Sequence, residues 1–321
     1  MISGKALLSV ISAAAALSAA VCSCSAGEDA LQPGADGKMP ICLSGEITAN
    51  PAVKADVNGF SDNDVVGIYI VDYDDDVPGD LKDSGNRADN LMFTFDAKSY
   101  IWNPAYEFYW KDGHTHIDIN GYYPYGSPAE VENYSFEIEK DQGREAAYGK
   151  PGGYEASDFL WGKASDIAPT DQVIKIRFSH MMAAARVTLM EGVGFEDGEW
   201  DAAQKQVVIT SITRQSLIDL KTGRVTASGD ASEEGTVPKK EGNDFRAILV
   251  PQTVPAGKPL MSITIGGNTW YFRKNEDFTY VPSRQHSFSI TVSKRTETGE
   301  YVFEIADAPR ERPRPLSSRV P

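Results

Sequence analysis

The sequence predicts an all-β protein with its strands packed as β-sandwiches, and three observations predict it. Short segments with strand-like patterning follow one another from residue 41 to residue 292. Clusters of Gly, Pro, Asn and Asp divide them, and no segment sustains the 3.6-residue period of an amphipathic helix. Many short strands, each with one face to bury, pack most simply as face-to-face sheets.

Taken in order, residues 1–23 read as a lipoprotein signal peptide. Lys5 precedes an apolar run from Ala6 to Val21, and small residues then lead into Cys22 and Cys24. The run is shorter than the ~20 residues that span a bilayer. Lipoprotein processing needs a small residue immediately before the acylated cysteine. Ser23 precedes Cys24, whereas the bulkier Val21 precedes Cys22, so Cys24 is the expected lipidation site. Residues 24–38 are small, acidic and Gly/Pro-bearing, which reads as a tether.

The first domain is expected over 39–180. Ile41, Leu43, Gly45 and Ile47 alternate with Cys42, Ser44, Glu46 and Thr48, the period of a half-buried strand. A linker, NPAVKADVNG, follows and carries Lys54. Further strands are expected at Val65–Val71, Leu91–Phe95, Glu107–Trp110, His116–Tyr123, Tyr134–Ile138 and Val173–Phe178. Ser179–Ala185 (SHMMAAA) has helical composition inside strand-like surroundings. The second domain is expected over 181–294, with strands at Arg186–Met190, Val207–Arg214, Phe245–Val250, Leu260–Ile265, Thr269–Arg273 and His286–Val292. Gly266–Gly267 has the composition of a hairpin turn. Residues 295–321 hold a strand candidate, in which Tyr301, Phe303 and Ile305 alternate with Val302, Glu304 and Ala306. The Arg/Pro-rich tail after it lacks the donors a sheet needs and is expected to be disordered.

The formal net charge is −15, and it becomes −16 when Lys5 leaves with the leader. Such a balance excludes nucleic acid as a partner, because phosphates demand a basic footprint. It also leaves any membrane attachment to the lipid rather than to charge. With Cys24 acylated and Cys22 removed, Cys42 is the one unlipidated thiol, so no intramolecular disulfide is expected.

The chain resembles the fimbrillin-like family, pilin-type lipoproteins of anaerobic bacteria. The resemblance rests on NDVVGIYIV (Asn63–Val71), INGYYPY (Ile119–Tyr125), SDFLWGKAS (Ser157–Ser165) and IKIRFSHMMAAARVTL (Ile174–Leu189). It continues through FRAILVPQTVPAG (Phe245–Gly257) and TWYFRKNEDFTYVPSRQHSFSITV (Thr269–Val292). It implies two tandem transthyretin-like β-sandwich domains, no enzymatic activity, no cofactor, and a place at the outer membrane and in a fimbrium. It also implies assembly by strand exchange, in which a protease removes the first strand and a neighbour's strand fills the groove. Ile41, Leu43 and Ile47 would then be the first strand, and Lys54 would lie in the processing linker. The family commonly carries an arginine there, and this chain has none before Arg87. Tyr301, Phe303 and Ile305 would form a donor strand, or else a hairpin with Phe288–Val292. Implied partners are other fimbrial subunits, the outer membrane through the lipid, and a host or bacterial surface ligand for an adhesive subunit.

The remaining polar and aromatic clusters carry no specific catalytic or metal-binding pattern. Asp72, Asp74, Asp75, Asp76 and Asp80 lack the spacing of a calcium loop. His114 and His116 share a strand face without a third ligand evident in sequence, and His180 reads as a packing histidine. No metal site is expected. No GxSxG, HExxH or glycine-rich phosphate loop occurs, so no catalytic residue is named. Tyr100, Trp102, Tyr106, Phe108, Tyr109 and Trp110 suit a sandwich core, or alternatively sugar stacking in a glycan-binding surface lipoprotein that does not polymerise.

Overall fold

The computed structural model describes residues 38–48, 59–147 and 150–307. Cys24 and Lys54 lie outside these residues, as does the tail from residue 308. In chain order the elements are β1 (Leu43–Ile47), β2 (Val65–Asp72), β3 (Ala88–Asp96), β4 (Ile101–Pro104), β5 (Ile117–Tyr123), β6 (Tyr134–Glu137), α1 (Gly153–Ser157), β7 (Leu160–Ile167) and β8 (Ile174–His180). They continue with β9 (Ala183–Glu191), α2 (Glu199–Ala202), β10 (Lys205–Ile209), β11 (Gln215–Asp219), β12 (Arg224–Ser228), β13 (Lys239–Glu241) and β14 (Asp244–Leu249). The last are β15 (Gln252–Val254), β16 (Pro259–Ile265), β17 (Asn268–Arg273), β18 (Phe278–Tyr280), β19 (Gln285–Lys294) and β20 (Tyr301–Asp307). The protein is all-β, as its patterning predicts.

Where the sequence predicts open packed sheets, the first sheet closes into a barrel in the order β1-β4-β3-β2-β5-β7-β8. Closure has one cause: β1 pairs on one side with β8 and on the other with β4. The barrel interior holds Leu43, Ile68, Phe93, Phe95, Trp102, Ile119, Ile176 and Phe178.

A second core gathers around the five-stranded sheet β13-β14-β9-β19-β20 and the three-stranded sheet β10-β16-β17. It also takes Tyr69, Val71 and Tyr122 from β2 and β5, together with Phe136 and Phe159. β6 pairs with β11, so this core draws on residues from both sides of residue 180. That explains the continuous apolar run of β2 and the burial of all seven residues of β5: each serves a core on either face.

Three expectations meet a different structure. Glu107–Trp110 forms no strand and makes an isolated bridge from Tyr109 to Pro40. Ser179–Ala185 is not helical. It runs from the end of β8 into β9, where Ala183, Ala184 and Ala185 pair with Leu249, Ile248 and Ala247, so tertiary pairing overrides alanine's helix preference. Val207–Arg214 ends as a strand at Ile209, and Ser211 takes a left-handed φ of 56° before β11 begins. β4, β7, β11, β12, β13, β15 and β18 were not anticipated. The β16–β17 hairpin turns on Gly266 and Gly267 with φ of 55° and 84°, which only glycine adopts easily.

Candidate functional site

Residues 39–48 cross the seam of the barrel. At the start they bond one wall: Ile41 N donates to Phe108 O at 3.0 Å and Trp110 N to Met39 O at 2.9 Å. From Leu43 onward they bond the other wall. β1 runs parallel to β8, with Leu43 opposite Ile174 and Ile47 opposite Phe178. Ile174 N donates to Cys42 O at 2.9 Å, and Thr48 N donates to Phe178 O at 2.7 Å. A single residue pair, Leu43 with Trp102, ties β1 to β4.

The inward side chains explain the alternation. Ile41 and Leu43 are buried, and Ile47 packs half-buried against the same cluster. Gly45 faces an aromatic wall. A β carbon there would lie 2.6 Å from Trp102 Nε1, 3.2 Å from Phe178 Cε2 and 3.3 Å from Phe60 Cε2. Carbon contacts normally sit at about 3.5–4.0 Å, so the seat accepts glycine alone without movement. The wall is rigid because it is mutually packed: Phe60 meets Trp102 edge-on at 4.7 Å and Phe178 at 5.1 Å. The buried Trp102 Nε1 has no hydrogen-bond partner among the described residues.

The outer face is polar. Glu46 accepts from Arg177 Nε at 2.7 Å and lies 3.3 Å from Lys175 Nζ. These hydrogen bonds hold its carboxyl below the ordinary carboxylate range. Gly59, with φ of 77°, returns the chain to the same place from which it leaves after Thr48: a β carbon on it would sit 3.7 Å from Ile47 N.

At the other end of the chain, Tyr301, Phe303 and Ile305 lie on β20, antiparallel to β19, with Tyr301 opposite Lys294 and Ile305 opposite Ile290. This is the hairpin arrangement. Phe303 stacks on Trp270 at 4.7 Å and 7°, and Tyr301 on Phe195 at 6.0 Å. β20 is the outer strand of its sheet.

The remaining sequence candidates separate. Asp74 and Val77 close a turn, Asp72 lies 3.6 Å from Arg87, and Asp80 bonds Lys221 at 3.1 Å. His114 sits beside Asp112, and His116 Nδ1 lies 2.6 Å from Asp166 Oδ1. Among the described residues no group of three or more His, Cys, Asp or Glu is placed to hold a metal. His180 Nδ1 lies 2.8 Å from Asp158 Oδ2, and its carbonyl accepts from the Ser283 hydroxyl. Burial pulls the imidazole down, but the hydrogen bond and charge of Asp158 outweigh it and leave the pKa raised. Of the aromatic cluster, Trp102 and Trp110 are buried, whereas Tyr100 and Tyr106 are about 60% exposed.

Sequence reasoning missed the aromatic wall and the role of Gly45. The available signal was a glycine at an inward position of an alternating strand, which marks a close approach.

A family model described as fimbrillin-like matches residues 53–307. A solved structure from Bacteroides uniformis, whose suggested role is cell adhesion, is similar at 18% identity and a TM-score of 0.58, covering 85% of this chain and 99% of that one. Another from Bacteroides ovatus, with the same suggested role, is similar at 17% identity and a TM-score of 0.58, covering 86% and 99%. At these identities the likeness is one of fold. No curated protein matches the chain.

Proposed function

The chain belongs to the fimbrillin-like family, and on that premise we propose that it is a non-enzymatic, lipid-anchored subunit of a fimbria, structural or adhesive, assembled by strand exchange. In this reading Cys24 carries the lipid, and proteolysis at Lys54 frees the segment that contains β1. The two cores then belong to two tandem transthyretin-like domains, and segments from before residue 180, among them β6, pack into the second. Its partners are other fimbrial subunits, and β20 is the candidate donor strand. The fold's likeness to proteins with a suggested role in cell adhesion supports a place at the cell surface.

One observation carries the reading. β1 is the strand that closes the barrel, it is the first element of the described chain, and Gly59, after the linker 49–58, lies beside Ile47, before it. A cut in that linker leaves the segment 39–48 held by its parallel ladder to β8, its few backbone bonds to the facing wall and three inward side chains. Its loss would open β8 and an apolar groove beneath Trp102 and Phe178, a template for another strand.

Limited digestion of the lipid-free precursor with a lysine-specific protease tests this. Cleavage near Lys54, followed by release of the β1 fragment and SDS-resistant uptake of an added peptide of residues 39–48, is the expected result. A cleanly cleaved protein that takes up no added strand would sink it. The glycan-binding alternative retains Tyr100 and Tyr106 as surface aromatics, and glycan binding lost in Tyr100→Ala would favour it.

A further inference from the structure

If strands are exchanged through the seat of β1, that seat has a selectivity that can be read from its wall. We infer that it accepts a strand with glycine at its centre and rejects this chain's own β20, so the strand that fills it comes from a different subunit. The inference rests on the strand-exchange reading and adds to it the identity class of the partner.

The seat is defined at three inward positions. Leu43 fills a fully buried site, Gly45 lies against Trp102, Phe178 and Phe60, and Ile47 packs at the far end. On the outer side Glu46 meets Lys175 and Arg177. Laid along β8 in the direction of β1, β20 matches most of this. Tyr301 falls on Leu43, Glu304 on Glu46 and Ile305 on Ile47. Phe303 falls on Gly45, where even a β carbon is 2.6 Å from the indole nitrogen.

Other registers fail as well. Shifting so that Gly299 meets the wall puts Glu297 into the buried Leu43 site, an unpaired charge in an apolar pocket. Shifting by one residue turns Val302 and Glu304 inward and loses the apolar face. Phe303 is the severest mismatch between β20 and the seat, beside the larger ring of Tyr301 at the buried Leu43 site. The same ring is well placed where it is, stacked flat on Trp270. The partner's strand is specified as apolar, any, glycine, acidic, apolar.

The test uses the full lipid-free chain with a specific protease sequence placed in the linker 49–58, folded and then nicked so that β1 stays in place. Four fluorescent peptides compete for the seat on warming: residues 39–48, the same peptide with Gly45→Phe, residues 299–307, and the same with Phe303→Gly. The expected result is labelling by the first and fourth, and labelling at least about ten-fold weaker by the second and third. Equal labelling by the unaltered 299–307 peptide overturns the selectivity and leaves strand exchange standing. Failure of the 39–48 peptide itself to exchange overturns both.

Discussion

Gly121 and Phe178 offer the sharpest test of how the barrel interior is packed. A β carbon on Gly121 would lie 2.8 Å from Phe178 Cζ and 3.0 Å from Ile68 Cδ1. The Phe178 ring cannot retreat, because Phe60 stands edge-on to it at 5.1 Å and Gly45 of β1 lies against its other edge. Gly121→Ala should therefore incur an overpacking cost of about 1–3 kcal/mol. Removing a glycine from a strand returns roughly 0.5–1 kcal/mol, so the net loss is centred on about 1 kcal/mol, within about 0–2.5 kcal/mol. Phe178→Ala alone should cost about 3–5 kcal/mol. With the ring gone, the added methyl group has room, and Gly121→Ala should change sign and stabilise by roughly 0.5–1 kcal/mol. Urea unfolding of the two single variants and the double variant measures this cycle, provided the m value is unchanged. Equal destabilisation by Gly121→Ala in both backgrounds, within about 0.5 kcal/mol, would refute the wedge.

Three further outcomes are expected. The folded-state pKa of His180 is raised, so its pairing with Asp158 stabilises fully below the unfolded value of about 6.5 and is lost as pH rises through the folded value. Thermal melts from pH 6 to 9 should show that decline, and Asp158→Asn should flatten it. Leu43→Ala should cost about 2–5 kcal/mol in the intact chain, and after linker cleavage it should speed release of the β1 fragment, followed by size-exclusion chromatography. Gly267→Ala forces a residue with a β carbon to φ of 84° and should lower stability by about 1–2 kcal/mol, read in the same urea assay.

The sequence was most legible where one element answers to one environment. β2 announces itself as an apolar run because it is buried on both faces, and Gly266–Gly267 marks its hairpin through local backbone demands alone. β7 escaped notice because LWGKASDI turns polar beyond Gly162, and its partners hold it in place rather than its own composition. The pairing of β6 with β11 joins residues 137 and 215, and barrel closure joins 43 with 174. No local pattern encodes such distances. At the candidate site, the first strand was visible as an alternation. What its central glycine faces was not, since Phe60, Trp102 and Phe178 converge only in the folded chain. The pairing of His180 with Asp158 was hidden for the same reason.

The parallel alignment of β1 with β8 has a mechanical consequence. Tension entering at the N-terminal end of β1 and leaving at the C-terminal end of β8 pulls the two strands past each other along their length. In that shearing geometry the ladder bonds from Cys42 to Thr48 share the force together instead of peeling apart one at a time. A filament joined by such contacts would resist flow far better than the equilibrium stability of any one contact suggests.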